Sequence, residues 1–298
     1  MINVVGKRKI YFTISGALVA ASLISIAIFG FRQGIDFAGG SLWRFRASED
    51  VSLENLDRVF RINVGVSDIR LNYDSANRIY LGRLGAISEE THRQYLSVVK
   101  REIPSFDELS FESIGPSIGR ELRKNAFIAV ALVLVGISLY IAFVFRKTSQ
   151  PVSSWKYGWI TLLTLFHDVV IPAGLFAALG RYLGVEVDTN FIVALLVVMG
   201  FSVHDTIVVF DRIRENLALA RGKFEFGTLI NESVNKTMAR SINTSLTLIL
   251  VLIALYFVGP VSLQYFILTL LVGVTTGIYS SIFLASPALL LVSPKGVR

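Results

Sequence analysis

The chain has 298 residues, 53% of them hydrophobic, with a mean hydropathy of +0.61 and a net charge of +7. That hydropathy excludes an ordinary soluble globule and points to a membrane protein. Cysteine is absent, which excludes Cys-ligated metal sites and leaves the redox compartment unreadable.

A pI near 9.7 would suit nucleic acid, but the distribution of charge argues otherwise. Residues 32–124 hold 14 Lys+Arg and 14 Asp+Glu, so the whole basic excess sits in short stretches between apolar runs. Such charges read as topology signals, and no nucleic-acid partner is expected.

Runs of about 20 apolar residues match a ~30 Å hydrocarbon core. Five apolar regions reach that length: 10–31, 125–145, 157–180, 189–210 and 241–294. The last spans 54 residues without a formal charge, too many for one crossing. Gly259-Pro260 divides it into helices near 240–259 and 262–292, because Pro lacks an N–H and Gly frees the backbone. The expected fold is a multi-pass bundle of six transmembrane helices, with residues 1–31 as N-terminus and first span and 125–298 as spans two to six.

In chain order, Lys7, Arg8 and Lys9 place the N-terminus in the cytoplasm by the positive-inside rule. The first apolar run of about 22 residues exceeds the 7–15 of a cleavable signal, so it reads as an uncleaved anchor. Arg146, Lys147 and Lys156 then fall inside, as do the segment 211–240 and the tail with Lys295 and Arg298. Both termini are therefore expected inside, and residues 32–124 outside.

That outer region has the pattern of an independent α+β domain. Residues 41–47 alternate as a strand; Leu53, Leu56 and Phe60 share one helix face. Residues 68–73 and 78–84 form a hairpin around Asp74-Ser75-Ala76-Asn77. Ser88 followed by Glu89-Glu90 starts a helix with carboxylates at the positive dipole end. Leu96, Val99 and Ile103 give that helix its buried face, and 108–114 closes as a strand. The order β-α-β-β-α-β fits a ferredoxin-like sandwich. Gly39-Gly40 and Gly115-Pro116 flank it as turns or hinges.

The third span carries His167-Asp168 about 11 residues past Lys156, or ~16 Å deep, in mid-bilayer. The fourth carries His204-Asp205 in its cytoplasmic third. A carboxylate inside a span costs roughly 2.5–3.5 kcal/mol by insertion scales, so it marks function or a structural pair. The fifth span places Arg240, Asn243, Thr244 and Thr247 at i, i+3, i+4 and i+7, one polar stripe. Arg240 and Asp205 lie at similar depth and are candidate partners, although Arg240 also reads as a snorkelling interface residue. His167 and His204 are candidate relays. Gly273, Gly277 and Ser281 form a small-residue face for close helix contact. No HExxH, phosphate loop or paired-acid protease constellation occurs, so no enzyme, metal or cofactor is expected.

Three motifs, GIDFAGG at 34–40, VVFDRIREN at 208–216 and ARSINTS at 239–245, resemble bacterial SecF of the SecD/SecF family, in the resistance-nodulation-division superfamily. The resemblance covers essentially the whole chain. It implies a partner, SecD, that completes a twelve-helix unit in the bacterial inner membrane and assists the SecYEG channel, with YidC and YajC as further associates. Proton flow would then move the outer domains and help draw translocating polypeptide outward. By the motifs, the essential acid falls on Asp205 and the essential arginine on Arg240. Gly34, Asp36, Phe37, Gly39, Gly40, Asp211 and Arg212 are motif positions, and DRIRE shapes the cytoplasmic face. His204 departs from the Asn usual in the family, and sodium is an alternative coupling ion. A small-molecule efflux half-transporter and a non-conducting scaffold are the alternatives.

Overall fold

The computed structural model describes residues 2–48, 51–74, 78–146, 152–220 and 225–293. Residues 75–77 of the turn expected at 74–77, together with Lys147, Lys295 and Arg298, lie outside the described residues. The chain divides into two compact units, Met1–Arg32 with Ile128–Arg298, and Gln33–Phe127.

Among the described residues, six helices are long and apolar enough to cross a membrane. The first four are α1 (Arg8–Phe29), α5 (Pro116–Val144), α6 (Ser154–Tyr182) and α7 (Thr189–Leu219), and the fifth is α8 (Phe226–Val258). The sixth span is composite: α9 (Gln264–Ser280), a π turn (Ser281–Ala285) and α10 (Ser286–Val292). Gly259 caps α8 and Pro260 precedes a single 3-10 turn, as expected of residues that end a helix. Pro116 opens α5, where a missing N–H is harmless.

Burial sorts these helices. In α6, α7 and the sixth span, 61%, 50% and 56% of the most apolar window is buried, against 17% in α8 and 6% in α5. The centre of the unit is therefore built from α6, α7 and α9, with α1 packed on α6. Small residues set how close they come. A Cβ on Gly174 would stand 2.3 Å from Ser22 Cβ and 2.4 Å from Ser22 Cα, so α1 and α6 touch backbone to backbone. Between α7 and the sixth span, Gly273 meets Val198, Gly277 meets Ser202, and Ser281 Oγ lies 2.9 Å from Thr206 Oγ1. Both rows step by four residues, the ridge spacing of a helix.

The N-terminal residues form a strap on α8. Ile2 N donates to Asn235 Oδ1 (2.8 Å) while Asn235 Nδ2 donates to Ile2 O (2.9 Å). One helical turn earlier, Asn231 Oδ1 accepts from Val5 N (3.0 Å). Val4 and Val5 are buried in a cluster with Phe226, Ile230, Leu289 and Leu290.

The second unit is a four-stranded antiparallel sheet under two helical segments. Its strands are β1 (Gly40–Arg46), β2 (Arg70–Asp74), β3 (Ile79–Leu84) and β4 (Asp107–Ile114), in the order β2-β3-β1-β4. The helices are α3 (Leu53–Arg58), running into a π turn at Val59–Val64, and α4 (Glu89–Glu102); a short α2 (Ile35–Ala38) precedes β1. This is the split β-α-β arrangement of ferredoxin-like folds. Alternation in β1 sends Ser41, Trp43 and Phe45 inward, where Trp43 and Phe45 meet Leu56, Phe60, Val99, Ile103 and Phe106. Ser88 caps α4 by accepting from Thr91 N at 3.2 Å. Leu53 is a correction: it is 41% exposed, because α3 starts there and only its later turns face the sheet.

Candidate functional site

The buried polar groups of the membrane unit converge on Asp168. It sits in the middle of α6 and is fully buried. Ser202 Oγ on α7 donates to its Oδ2 at 2.5 Å, and Ser280 Oγ on α9 donates to the same atom at 2.6 Å. His167 Nδ1 donates to Oδ1 at 2.7 Å. Neighbouring helix residues point about 100° apart, so His167 and Asp168 bond each other rather than one shared partner. Their hydroxyl partners are the functional residues that sequence reasoning missed. A serine in a span ordinarily bonds its own helix backbone, so composition does not announce it. The available signals were Ser202, three residues before Asp205, and Pro172, which cannot donate to the carbonyl of Asp168.

Asp205 has a different status. It is 4% exposed, and its Oδ2 has no hydrogen-bond partner. His204 points away from the core and is exposed. The ion pair expected between Asp205 and Arg240 does not form within this chain. Arg240, Asn243, Thr244 and Thr247 all lie on the exposed face of α8, whereas Ser241 and Ser245 on the same helix turn inward. Thr244 and Thr247 satisfy their hydroxyls on the carbonyls of Arg240 and Asn243 (2.9 and 2.8 Å). Among the described residues, the Arg240 guanidinium and the Asn243 amide bond nothing. Helical periodicity fixed the stripe, but the rotation of α8 sets where it points, and in that rotation Ser241 and Ser245 face inward.

His167 Nε2, Ser241 Oγ and Ser245 Oγ join Asp205 Oδ2 as buried atoms without partners. Each is a donor or acceptor held out of water, a state that costs about 1–3 kcal/mol per group. The arrangement thus combines one carboxylate fully met by donors with a second that is not. Among the described residues no group of His, Asp and Glu has the clustering of a metal site.

The remaining motif residues have structural explanations. In the second unit, Gly34 caps α2, Asp36 occupies its first turn, and Phe37 is buried. Gly39 and Gly40 have φ of +75° and +121°, conformations that other residues rarely adopt. A Cβ on Gly39 would stand 3.0 Å from Pro116 Cα, and one on Gly40 would stand 3.0 Å from Leu84 O. This pair lets β1 begin against the start of α5 with no side chain between. At the end of α7, Asp211 pairs with Arg214 and Arg212 with Glu215 (2.6 Å), largely exposed pairs three residues apart that contribute little to stability.

The family model described as "Protein export membrane protein SecD/SecF, C-terminal" matches residues 94–295, and the SecD/SecF GG motif matches residues 24–51. The protein translocase subunit SecF of Thermobaculum terrenum is 40% identical over 304 residues, 98% of this chain and 94% of that protein. The SecDF of Thermus thermophilus is 35% identical, aligning 92% of this chain with 36% of a longer protein. The crystal structure of SecDF from Thermus matches with a TM-score of 0.82 over 97% of this chain and 38% of that one. The chain therefore belongs to the SecD/SecF family of protein-export membrane proteins.

Proposed function

We propose that this chain is the SecF-type half of a paired membrane motor, in which ion flow past Asp205 and Arg240 drives late steps of polypeptide export. Family membership makes it an accessory subunit of the Sec machinery, and the relatives that hold SecD and SecF in one chain make SecD its partner. The finer reading is ours: a proton as the ion, SecYEG as the channel served, YidC and YajC as associates, and translocating polypeptide as the load. The basic segments between spans support a bacterial inner-membrane location with both termini cytoplasmic and residues 32–124 outside.

One observation carries the coupling role. Asp205 is a buried carboxylate with an unpartnered oxygen, next to a helix whose Arg240, Asn243, Thr244 and Thr247 all face outward. Left against lipid, an arginine and an amide are strongly unfavourable, so a second protein covers that face. A site completed across that interface binds and releases a proton as access to water alternates. His204, exposed on the turn that carries Asp205, is an auxiliary member. The same geometry supports a non-enzymatic role, since no nucleophile or bound activator is needed to move an ion.

The test is Asp205→Asn, scored for export and for assembly with SecD. Lost export with intact assembly supports coupling; unchanged export sinks it. Exchanging Asp205 and Arg240 with full retention of activity would favour a structural pair, and loss of the complex in both variants a scaffold.

A further inference from the structure

We propose that Asp168 is a positioning residue of the coupling site: it fastens the helix that carries Asp205 to the sixth span, and it does so by hydrogen bonding. The proposal rests on the reading of Asp205 as the coupling acid.

Asp168 Oδ2 is the one point where α6, α7 and α9 meet through side-chain hydrogen bonds among the described residues. A carboxyl group in an apolar interior is costly unless it is hydrogen-bonded, so donors that converge on it tie together the helices that carry them. Here three donors converge, each within 2.7 Å. Ser202 lies three residues before Asp205, about 4.5 Å along the helix and on the same face. Any rotation or slide of α7 that displaces Ser202 therefore displaces Asp205 with it.

The surroundings leave the joint little freedom. A Cβ on Gly277 would stand 3.4 Å from Ser202 Cβ and 3.8 Å from Asp168 Oδ2, so no side chain separates α9 from the joint. One turn on, Thr206 and Ser281 make a second hydroxyl contact at 2.9 Å. Directly after Ser280 the sixth span widens into its π turn, where Ser286 Oγ donates to Ser281 O five residues back. π turns mark places where a helix is re-aimed at a functional position. Asp168 holds α9 at that place.

Hydrogen bonding and ion carriage make opposite demands on one substitution. In Asp168→Asn, the amide oxygen accepts both serine hydroxyls, and the amide nitrogen donates to His167 Nδ1 in its other tautomer. The joint survives while the ionisable group is gone. In Asp168→Ala, and in Ser202→Ala with Ser280→Ala, the joint is lost. With the full chain and its SecD partner in membrane vesicles, Asp168→Asn is expected to export within about two-fold of the parent, and the other two about ten-fold more slowly, at normal assembly. If Asp168→Ala does not accumulate, the double serine variant decides by itself, because it leaves the carboxylate in place. Export by Asp168→Asn as low as by Asp205→Asn would overturn the proposal, since Asp168 would then carry the ion itself. Full export by the double serine variant would overturn it as well. The parallel Asp205→Asn arm separates the two readings: activity there removes the coupling acid, whatever the Asp168 variants do.

Discussion

Replacing Gly273 with alanine tests whether the close approach of α7 and α9 holds the core of the membrane unit. The added Cβ would stand 2.2 Å from Val198 Cγ2, 2.7 Å from Cγ1 and 3.0 Å from Cβ. Carbon atoms in contact prefer roughly 3.5–4.0 Å. Val198 is fully buried and β-branched, so its methyl groups have no free rotamer to move into. Alanine gains about 1 kcal/mol of helix propensity over glycine, while overpacking costs about 1–3 kcal/mol and more where neighbours cannot yield. Three simultaneous overlaps put this site at the upper end, for a net loss of about 2 kcal/mol. Thermal unfolding of the full chain with SecD in detergent reads that loss directly. Val198→Ala removes both offending methyls and leaves only the 3.0 Å contact. The double variant should therefore recover at least about 1 kcal/mol relative to additivity. A Gly273→Ala protein as stable as the parent, or two effects that simply add, would refute the reasoning.

Gly174→Ala should be destabilising too, but with a different rescue. Its closest contacts include Ser22 Cα at 2.4 Å, so Ser22→Gly should not restore the melting midpoint; restoration would mean the conflict is with the side chain alone. Removing both amides that hold the strap, Asn231→Ala with Asn235→Ala, should expose residues 2–6 to an aminopeptidase that spares the parent, since each hydrogen bond contributes about 0.5–1.5 kcal/mol. Conversely, Val5→Cys with Gly227→Cys should form a disulfide on mild oxidation, because a Cβ at 227 lies 3.5 Å from Val5 Cγ1 and the chain has no other cysteine. In the second unit, Glu108 Oε2 accepts from Trp43 Nε1 (2.7 Å) and lies 2.8 Å from His92 Nε2. Glu108→Ala leaves both groups unmet and should cost about 2 kcal/mol or more, seen as faster amide exchange in β1; Glu108→Gln, which keeps an acceptor, should cost less.

The features legible in the sequence are those that depend on one element at a time. Alternation announced Trp43 and Phe45, a Ser before two glutamates announced the cap of α4, and four-residue spacing announced the face of Gly273 and Gly277. Leu53 misled because a shared helix face was read one turn too early, across the point where the chain enters α3. The orientation of Arg240 was illegible for a deeper reason. A stripe's existence follows from 3.6-residue periodicity, but its direction depends on how α8 packs against its neighbours, which the pattern of one helix does not carry. The strap was hidden in the same way, since Asn231 and Asn235 look like ordinary surface polar residues until the N-terminus is laid along them.

The two carboxylates differ in how they are met. Asp168 is met by donors from three spans and lies among the helices that bury most of their apolar surface. Such an element is stiff, because moving any one helix breaks hydrogen bonds to a buried carboxyl group in a medium without water to replace them. Asp205 rides on that frame through Ser202 but keeps an unmet oxygen, and the arginine stripe sits on α8, most of whose apolar window is uncovered. An acceptor held rigidly and left unmet is a poor stabiliser of this chain alone. It suits a group that arrives and leaves, and the polar stripe lies on α8, which is less buried than α6, α7 and the sixth span.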